Sequence, residues 1–371
     1  MRTIVVSDLH LGSPFHADLT RRPELRACLL AALGPGDRLV ILGDGLELRH
    51  TPQREVARIA SPLFAEAGEI LGPEGEILVL AGNHDHGLIA GWINTSLERE
   101  APGFLSPQHR IEPSEAGSLA RDFAQVALPA RLTLAYPGVW LRDDVYATHG
   151  HYMDAHTTIP TLERLAVGTM ARWAARLPNE HASIDDYEAA VAPLYAWLHQ
   201  IAQRSERSVS ASSAGLSAGI WKAMAGEGRK TNPWKAMALR TGYAAAVSGL
   251  KAAGFGPLDR GLSGPALRRG GLYGIGEVLR RLELTPAYLL FGHTHRSGPW
   301  PEDDPAEWMT ERGTRLVNTG SWVYQRHFLP EAPNTSPYWP GTAVVLEDGQ
   351  PPQLKRLLGE KTHHELAPTP V

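Results

Sequence analysis

Five short clusters of acidic, amide and imidazole side chains stand where predicted strands give way to loops. They are Asp8-Leu9-His10, Gly43-Asp44, Gly82-Asn83-His84-Asp85, His149-Gly150-His151 and Gly292-His293-Thr294-His295. Carboxylate oxygens, amide oxygens and imidazole nitrogens are ligands that metal ions take from proteins. Loops that follow the carboxyl ends of strands share one edge of an open α/β sheet, so residues far apart in sequence can converge there. Together the clusters predict a metal site assembled from five loops.

Short apolar runs rich in β-branched residues predict the strands that position these clusters. The runs that precede the clusters are residues 3–6, 38–42, 77–80, 145–148 and 288–291. Helix-like stretches at residues 23–33 and 55–71 separate the first three, which is the alternation of a layered α/β fold. Further strands are predicted at residues 132–135, 139–142, 315–317, 342–346 and 353–357. We therefore expect a mixed sheet that folds into two packed layers.

Residues 152–285 differ from the rest, because their apolar side chains recur at helical spacing. These side chains include Leu162, Leu165, Trp173, Leu177, Tyr187, Val191, Leu194, Trp197 and Ile201. Ser183 with Asp186 three residues on, and Asn232 before Pro233, predict helix starts. We therefore expect a core made of residues 1–151 and 286–371, and between them a helical insertion that could act as a lid.

Charge is divided along similar boundaries. Residues 152–290 carry sixteen Lys plus Arg against eleven Asp plus Glu, whereas the whole chain has a formal net charge of −4. Within the insertion, residues 204–251 hold eight basic and two acidic side chains, a bias that suits an anionic substrate or an anionic lipid surface. A solvated helical face with extra Lys and Arg explains the same count. The acidic balance of the remainder argues against nucleic acid as a partner.

Cysteine content and hydropathy restrict the compartment and the kind of metal site. The single cysteine, Cys28, excludes an intrachain disulfide framework and a cysteine-rich zinc site. Any metal ion must then use nitrogen and oxygen ligands. The strand-like run after Arg2 leaves no room for the apolar core of a signal peptide. The sequence has no run of about 18 apolar residues, so it predicts no membrane span. We expect a cytoplasmic protein whose contact with a membrane, if any, is peripheral.

The ordered motifs D-x-H, G-D, G-N-H-D, H-G-H and G-H-T-H resemble those of the calcineurin-like metallophosphoesterase family. The resemblance covers the two parts of the predicted core and implies a four-layered α/β/β/α sandwich that binds two divalent or trivalent metal ions. The implied ligands are Asp8, His10 and His295 for the first ion, Asn83, His149 and His293 for the second, and Asp44 as a bridge between them. A bridging carboxylate suits two cations about 3.5 to 4 Å apart, because it screens their repulsion. Mn, Fe and Zn are the metals expected for these ligands.

The same resemblance implies roles for residues beside the ligands. His84, which follows the ligand Asn83, would donate to the phosphate or protonate the leaving oxygen, with Asp85 orienting it. General acid catalysis of this kind contributes ~100- to 10,000-fold in rate. Glu47, where many members carry Asp, would support the site without binding metal. Four further histidines lie near the motifs, and no signal in the sequence makes them ligands: His16, His50, His86 and His156.

These features predict a hydrolase that cleaves a phosphoester or pyrophosphate bond with metal-activated hydroxide. The motif pattern is closest to UDP-2,3-diacylglucosamine hydrolases, in which a helical insertion at the same place caps acyl chains, so the expected substrate is a nucleotide-linked or lipid-linked phosphate. His84 and His151 depart from that branch, which carries Arg and Asp at the matching positions. The alternatives are a nuclease or cyclic-nucleotide phosphodiesterase on the same core, and a binding scaffold without catalysis. No obligate protein partner is inferred.

Overall fold

The apolar runs of the sequence form the strands of one large mixed sheet in the computed structural model, which describes residues 1–99, 105–156, 177–178, 180–191, 195, 203, 264–326, 329–332 and 334–368. The strands are β1 (Thr3–Val6), β2 (Arg38–Leu42), β3 (Glu76–Leu80), β4 (Gln108–Ile111), β5 (Arg131–Arg142), β6 (Val145–Thr148), β7 (Tyr288–Phe291), β8 (Ser297–Gly298), β9 (Arg315–Thr319), β10 (Thr342–Leu346) and β11 (Gln353–Arg356). Their order is β11-β10-β1-β2-β3-β5-β6-β7-β9-β8, and β4 pairs with β5.

Two parallel runs make up most of this sheet. Strands β1, β2, β3 and the first half of β5 form one run, and β6, β7 and β9 form the other. Antiparallel β10 and β11 border the first run, and antiparallel β8 borders the second. Within each run the carboxyl ends of the strands lie at one edge of the sheet, which is where the sequence places its polar clusters.

Strand β5 joins the two runs and corrects a prediction. The sequence suggested separate strands at residues 132–135 and 139–142, whereas the structure has one strand, Arg131–Arg142. Its first half pairs in parallel with β3, up to the pair Leu80↔Ala135, and its second half pairs antiparallel with β6, from the pair Gly138↔Thr148. Pro137 lies between the halves and has no N–H to donate to a ladder. The apparent break in the sequence is therefore a change of partner strand.

The described helices are α1 (Pro23–Leu30), α2 (Gln53–Leu71), α3 (Ala90–Arg99), α4 (Pro113–Ala116), α5 (Ser118–Val126), α6 (184–191), α7 (Gly264–Arg281) and α8 (His363–Leu366). Helix α2 shows why the pattern folds this way. Its buried side chains, among them Val56, Ile59, Leu63 and Phe64, recur at three- and four-residue spacing and line one face. The helix ends at Gly72, whose φ of 68° reverses the chain toward β3.

Alternate residues of the parallel strands enter different cores. Ile4 and Val6 of β1 belong to a cluster that includes the apolar faces of α1, α2 and α5. Val5, between them, belongs to a cluster that also takes residues from β6, β7 and β9 of the second run. A third cluster packs the other face of the second run against α6 and α7. Both faces of the sheet are therefore covered, as parallel strands require.

Most of the predicted insertion lies outside the described residues. This holds for six of the residues at helical spacing, Leu162, Leu165, Trp173, Leu194, Trp197 and Ile201, for the helix start at Asn232 and for the basic stretch 204–251. The helix start at Ser183 is confirmed: the Asp186 N–H donates to Ser183 Oγ at 3.2 Å, and the Ser183 N–H donates to Asp186 Oδ2 at 2.8 Å. Among the described residues, no helix is both long and apolar enough to cross a membrane.

Candidate metal centre

The polar clusters meet at the carboxyl ends of β1, β2, β3, β6 and β7. Backbone hydrogen bonds join neighbouring loops: the Asp8 N–H donates to the Gly43 carbonyl at 3.1 Å and the His10 N–H to the Asp44 carbonyl at 2.8 Å. On the other side, the Gly292 N–H donates to the His149 carbonyl at 3.0 Å. The loops of one strand thus fix those of the next, and the candidate ligands lie around a common centre.

Most candidate ligands share an uncommon backbone conformation. Five of them lie in the left-handed region: Asp8 (φ 54°), His10 (φ 45°), Asp44 (φ 50°), His293 (φ 67°) and His295 (φ 58°). This conformation costs a residue other than glycine about 1 to 3 kcal/mol. In a strand, alternate side chains would point to opposite faces. The left-handed turns break that alternation, so that Asp8 and His10, or His293 and His295, face one centre from a single loop.

Asp8, His10 and His295 form the first group of converging ligand atoms. His295 Nε2 lies 3.2 Å from Asp8 Oδ1 and 3.2 Å from His10 Nε2. The Asp8 side chain is fully buried, and its Oδ1 atom accepts no hydrogen bond within the described structure. A buried carboxylate oxygen without a hydrogen bond, facing two imidazole nitrogens, fits a cation bound among the three side chains.

Asp44, His149 and His293 form the second group. His149 Nε2 lies 3.3 Å from Asp44 Oδ2 and 3.1 Å from Asn83 Oδ1. All except His293 are fully or almost fully buried, and the His293 side chain is 9% exposed. These ligands are the ones that the resemblance assigns to the second ion, together with the bridging residue.

Asp44 lies between the two groups. Its Oδ2 atom is 3.8 Å from His10 Nε2 and 3.3 Å from His149 Nε2, and its Oδ1 atom accepts a hydrogen bond from the His84 N–H at 2.8 Å. One carboxylate thus reaches a ligand of each predicted ion. The geometry fits a shared ligand, with nitrogen and oxygen donors on either side.

Glycines beside the ligands allow this close approach. Gly43 has a φ of 79°, and a Cβ atom there would overlap the His149 ring. A Cβ atom at Gly292 would overlap the side chains of Ser7 and Asp8. Any larger residue at either position would displace a candidate ligand, which explains the glycines that open the G-D and G-H-T-H motifs.

Glu47 holds three histidines, one of which was predicted to depend on Asp85. Its carboxylate lies 2.9 Å from His84 Nδ1, 2.9 Å from His50 Nδ1 and 3.1 Å from His10 Nδ1. The prediction that Asp85 orients His84 is corrected, because the carboxylate that contacts His84 Nδ1 is that of Glu47. His50, treated as a bystander, lies in this cluster, and Glu47, His50 and His84 together could also hold an ion.

Asp85 instead ties together two loops that carry candidate ligands. Its carboxylate accepts hydrogen bonds from the N–H groups of Gly82 at 2.5 Å, Asp44 at 3.3 Å, Gly45 at 2.8 Å and Leu46 at 3.2 Å. Burial and the nearby Asp44 raise the pKa of Asp85 to about 7. Asp85 therefore positions the loops after β2 and β3.

The ionisation of the centre is set by competition between burial and opposite charge. Burial would raise the pKa of Asp8, but His295 outweighs it and lowers that pKa to about 2. Burial would also raise the pKa of Asp44, but His149 outweighs burial and lowers that pKa well below its usual range. Burial would lower the pKa of both His10 and His149, but carboxylates raise these values to about 9 and about 10. Both carboxylates are therefore ionised at neutral pH.

A buried polar network beside the second group was missed by the sequence analysis. The Glu188 carboxylate accepts hydrogen bonds from the Tyr136 and Tyr152 hydroxyl groups and lies 3.2 Å from His86 Nε2. The ring of His151 stacks near that of Tyr136, and burial lowers the pKa of His151 to about 3. The network joins α6 of the insertion to the loops after β3 and β6. Sequence spacing carries no signal for contacts between such distant residues.

Comparisons with known proteins add little to this geometry. No family model matches the sequence, and no curated protein matches it. Among solved structures, a cold-active protein-tyrosine phosphatase of the psychrophile Shewanella sp. is 12% identical, covers 94% of this chain and 75% of its own, and has a TM-score of 0.28. A TM-score of this size carries no argument about fold or function, so the functional conclusion rests on the site itself.

Proposed function

We propose that the protein is a metal-dependent phosphoester hydrolase of the calcineurin-like type, with two metal ions at the carboxyl edge of its sheet. The observation that carries the proposal is the position of Asp44, whose Oδ2 atom lies 3.8 Å from His10 Nε2 and 3.3 Å from His149 Nε2. A carboxylate shared by two groups of nitrogen and oxygen donors suits a pair of ions held close together. The cluster that joins both parallel runs supports the four-layered sandwich as the accompanying fold.

The donors divide between the two positions as the resemblance implies. Asp8, His10 and His295 would hold the first ion and Asn83, His149 and His293 the second, with Asp44 shared. When bound, such a pair of ions supplies an activated water and neutralises charge on the phosphoryl oxygens. Mn, Fe or Zn would suit these donors.

His84 is the proposed proton donor. Glu47 contacts its Nδ1 atom at 2.9 Å and orients the ring, so the proton given to the leaving group must be the Nε2 proton of the imidazolium form. Burial lowers the pKa of His84 and opposes this form, whereas the carboxylates of Glu47 and Asp44 favour it. The His84 side chain is 17% exposed, whereas that of Asp44 is 3% exposed. A group that is held on one side and open to solvent on the other can reach a leaving oxygen.

The insertion supports the narrower proposal of a nucleotide-linked or lipid-linked substrate. Its described ends lie against the centre: the 3-10 helix His151–Ala155 packs on α7, and Gly271 of α7 lies beside Thr294, between two candidate ligands. A lid anchored at the metal loops would enclose a bulky group attached to phosphate. A peripheral membrane contact through the lid is part of the same proposal.

The proposal is tested by metal analysis combined with a substrate panel. Elemental analysis of the purified protein should find about two metal ions per chain. Chelation should abolish hydrolysis of bis(p-nitrophenyl) phosphate, and Mn²⁺ or Zn²⁺ should restore it. Full activity in the metal-free protein would refute the proposal. Nucleotides, DNA and UDP-linked lipids tested side by side would separate the predicted substrate class from nuclease and cyclic-nucleotide phosphodiesterase activity.

A further inference from the structure

Asp154 is a buried carboxylate that contacts a candidate ligand and has no role assigned so far. Its side chain is 2% exposed, and its Oδ2 atom lies 2.9 Å from His293 Nε2. An ionised carboxylate at such depth is costly unless hydrogen bonds or opposite charge compensate it. The imidazole of His293 supplies one such partner.

The fold fixes this contact from two directions. Strands β6 and β7 pair in parallel, so the loops that follow them, with His149 and His293, are neighbours. Gly150, with a φ of 105°, turns the chain after His149 into the 3-10 helix His151–Ala155. The Met153 N–H donates to the Gly150 carbonyl at 3.0 Å, which closes the turn and places Asp154 over the loop after β7.

Two other ligand histidines are oriented through Nδ1. His10 Nδ1 lies 3.1 Å from Glu47 Oε2, and His149 Nδ1 lies 3.0 Å from the Leu42 carbonyl oxygen. In both rings the Nε2 atom is the one that approaches Asp44. His293 is engaged the other way round, because its Nε2 atom is the one that contacts a carboxylate.

We propose that Asp154 is a positioning residue for the second metal ion: it accepts a hydrogen bond from His293 Nε2–H and so fixes the tautomer in which Nδ1 binds the ion. This inference rests on the proposed function. A carboxylate that holds the outer nitrogen of a ligand histidine orients the ring and makes the inner nitrogen a stronger donor, and its loss typically lowers metal affinity about 10- to 100-fold.

Metal titration of the chelator-stripped full-length protein tests the inference through affinity. For Asp154→Ala, one of the Zn²⁺ binding steps should weaken by about 10- to 100-fold relative to the wild type, and the other should stay unchanged. Asp154→Asn should lose less, because the amide oxygen still accepts the hydrogen bond. Asp144→Ala, which removes a carboxylate at the opposite end of β6, serves as the matched control and should leave both steps unchanged.

A spectroscopic measurement tests the tautomer without any substitution of Asp154. In Zn²⁺-loaded protein with ¹⁵N-labelled histidine, the His293 signals, assigned with His293→Gln, should show a metal-bound Nδ1 and a protonated Nε2. A metal-bound Nε2 overturns the inference even if Asp154→Ala fails to fold. Two ions bound by Asp154→Ala with wild-type affinities also overturn it, while leaving the proposed function intact. A wild-type protein that binds no metal overturns the proposed function itself.

Discussion

Among single residues, His84 is the proposed proton donor, and Glu47 orients its ring. Replacing His84 with Gln should leave both metal positions filled while turnover falls by ~100- to 10,000-fold for substrates with poor leaving groups. Good leaving groups need no protonation, so their rates should fall far less. A series of aryl phosphodiesters of graded leaving-group pKa measures this difference.

The control for His84→Gln is His50→Gln, since both rings contact the Glu47 carboxylate at 2.9 Å. The control should show no trend with the leaving group. If the loss in His84→Gln is the same for every leaving group, His84 orients the substrate and does not act as an acid.

Metal binding should be linked to proton release from two ligand histidines. In the metal-free protein, the pKa is about 9 for His10 and about 10 for His149. These raised values keep both rings protonated at neutral pH, so a metal must displace about two protons from them. Metal affinity should rise with pH through this range and fall toward pH 6. Calorimetric titration of Zn²⁺ in buffers of different ionisation enthalpy counts the protons, and a count of zero at pH 7 would contradict these pKa values.

The clusters of candidate ligands could be predicted from the sequence, whereas the side chains that contact and orient them could not. The clusters follow buried strands, and strand ends of a parallel run share an edge, so their convergence could be predicted from the sequence. The assignment of seven individual ligands came from the resemblance of the motifs to a known family. The contacts of Glu47 with His84 and of Asp154 with His293 depend on how loops turn after the strands. No local spacing encodes a turn of that kind, and the predicted pairing of Asp85 with His84 was wrong for this reason.

At the scale of elements, short buried strands were the most predictable part of the fold. The predicted strands 3–6, 38–42, 145–148, 288–291 and 342–346 are confirmed with the same bounds. Each has a mostly apolar sequence, because both of its faces are buried. Strand β5 was predicted as two strands, since Pro137, where it changes its partner strand, resembles the end of a strand. Helices α3, α4, α5 and α8 were not predicted.

The insertion should select the substrate without holding the metals. Replacing residues 204–230 with a short Gly-Ser linker keeps the 3-10 helix His151–Ala155 and α7, which pack beside the centre. Metal content and hydrolysis of bis(p-nitrophenyl) phosphate should be retained, whereas activity on the best UDP-linked or lipid-linked substrate of the panel should fall sharply. Equal loss on both kinds of substrate, with the metals retained, would show that the insertion supports the core and is no lid.

At the scale of the whole molecule, stability should depend on the core that both parallel runs share. Leu78 of β3 belongs to this cluster and is 0% exposed. Leu78→Ala should lower the free energy of unfolding by about 2 to 5 kcal/mol, because the surrounding strands cannot move in to fill the cavity that it leaves. Urea unfolding measures the change. Leu128, which is 53% exposed, is the control: Leu128→Ala should stay within about 0.5 kcal/mol of the wild type. Equal effects would refute a shared core.

If one carboxylate serves two metal ions, its removal in Asp44→Ala should affect both of them. The measurement is the number of metal ions per folded chain, by elemental analysis after equilibration with Zn²⁺ and gel filtration, beside the control Asp144→Ala. Asp44→Ala should lose metal from both positions and all measurable phosphodiester hydrolysis, since Asp44 Oδ2 reaches His10 Nε2 at 3.8 Å and His149 Nε2 at 3.3 Å. Two ions retained by Asp44→Ala, with turnover near that of the wild type, would show that Asp44 is not a shared ligand.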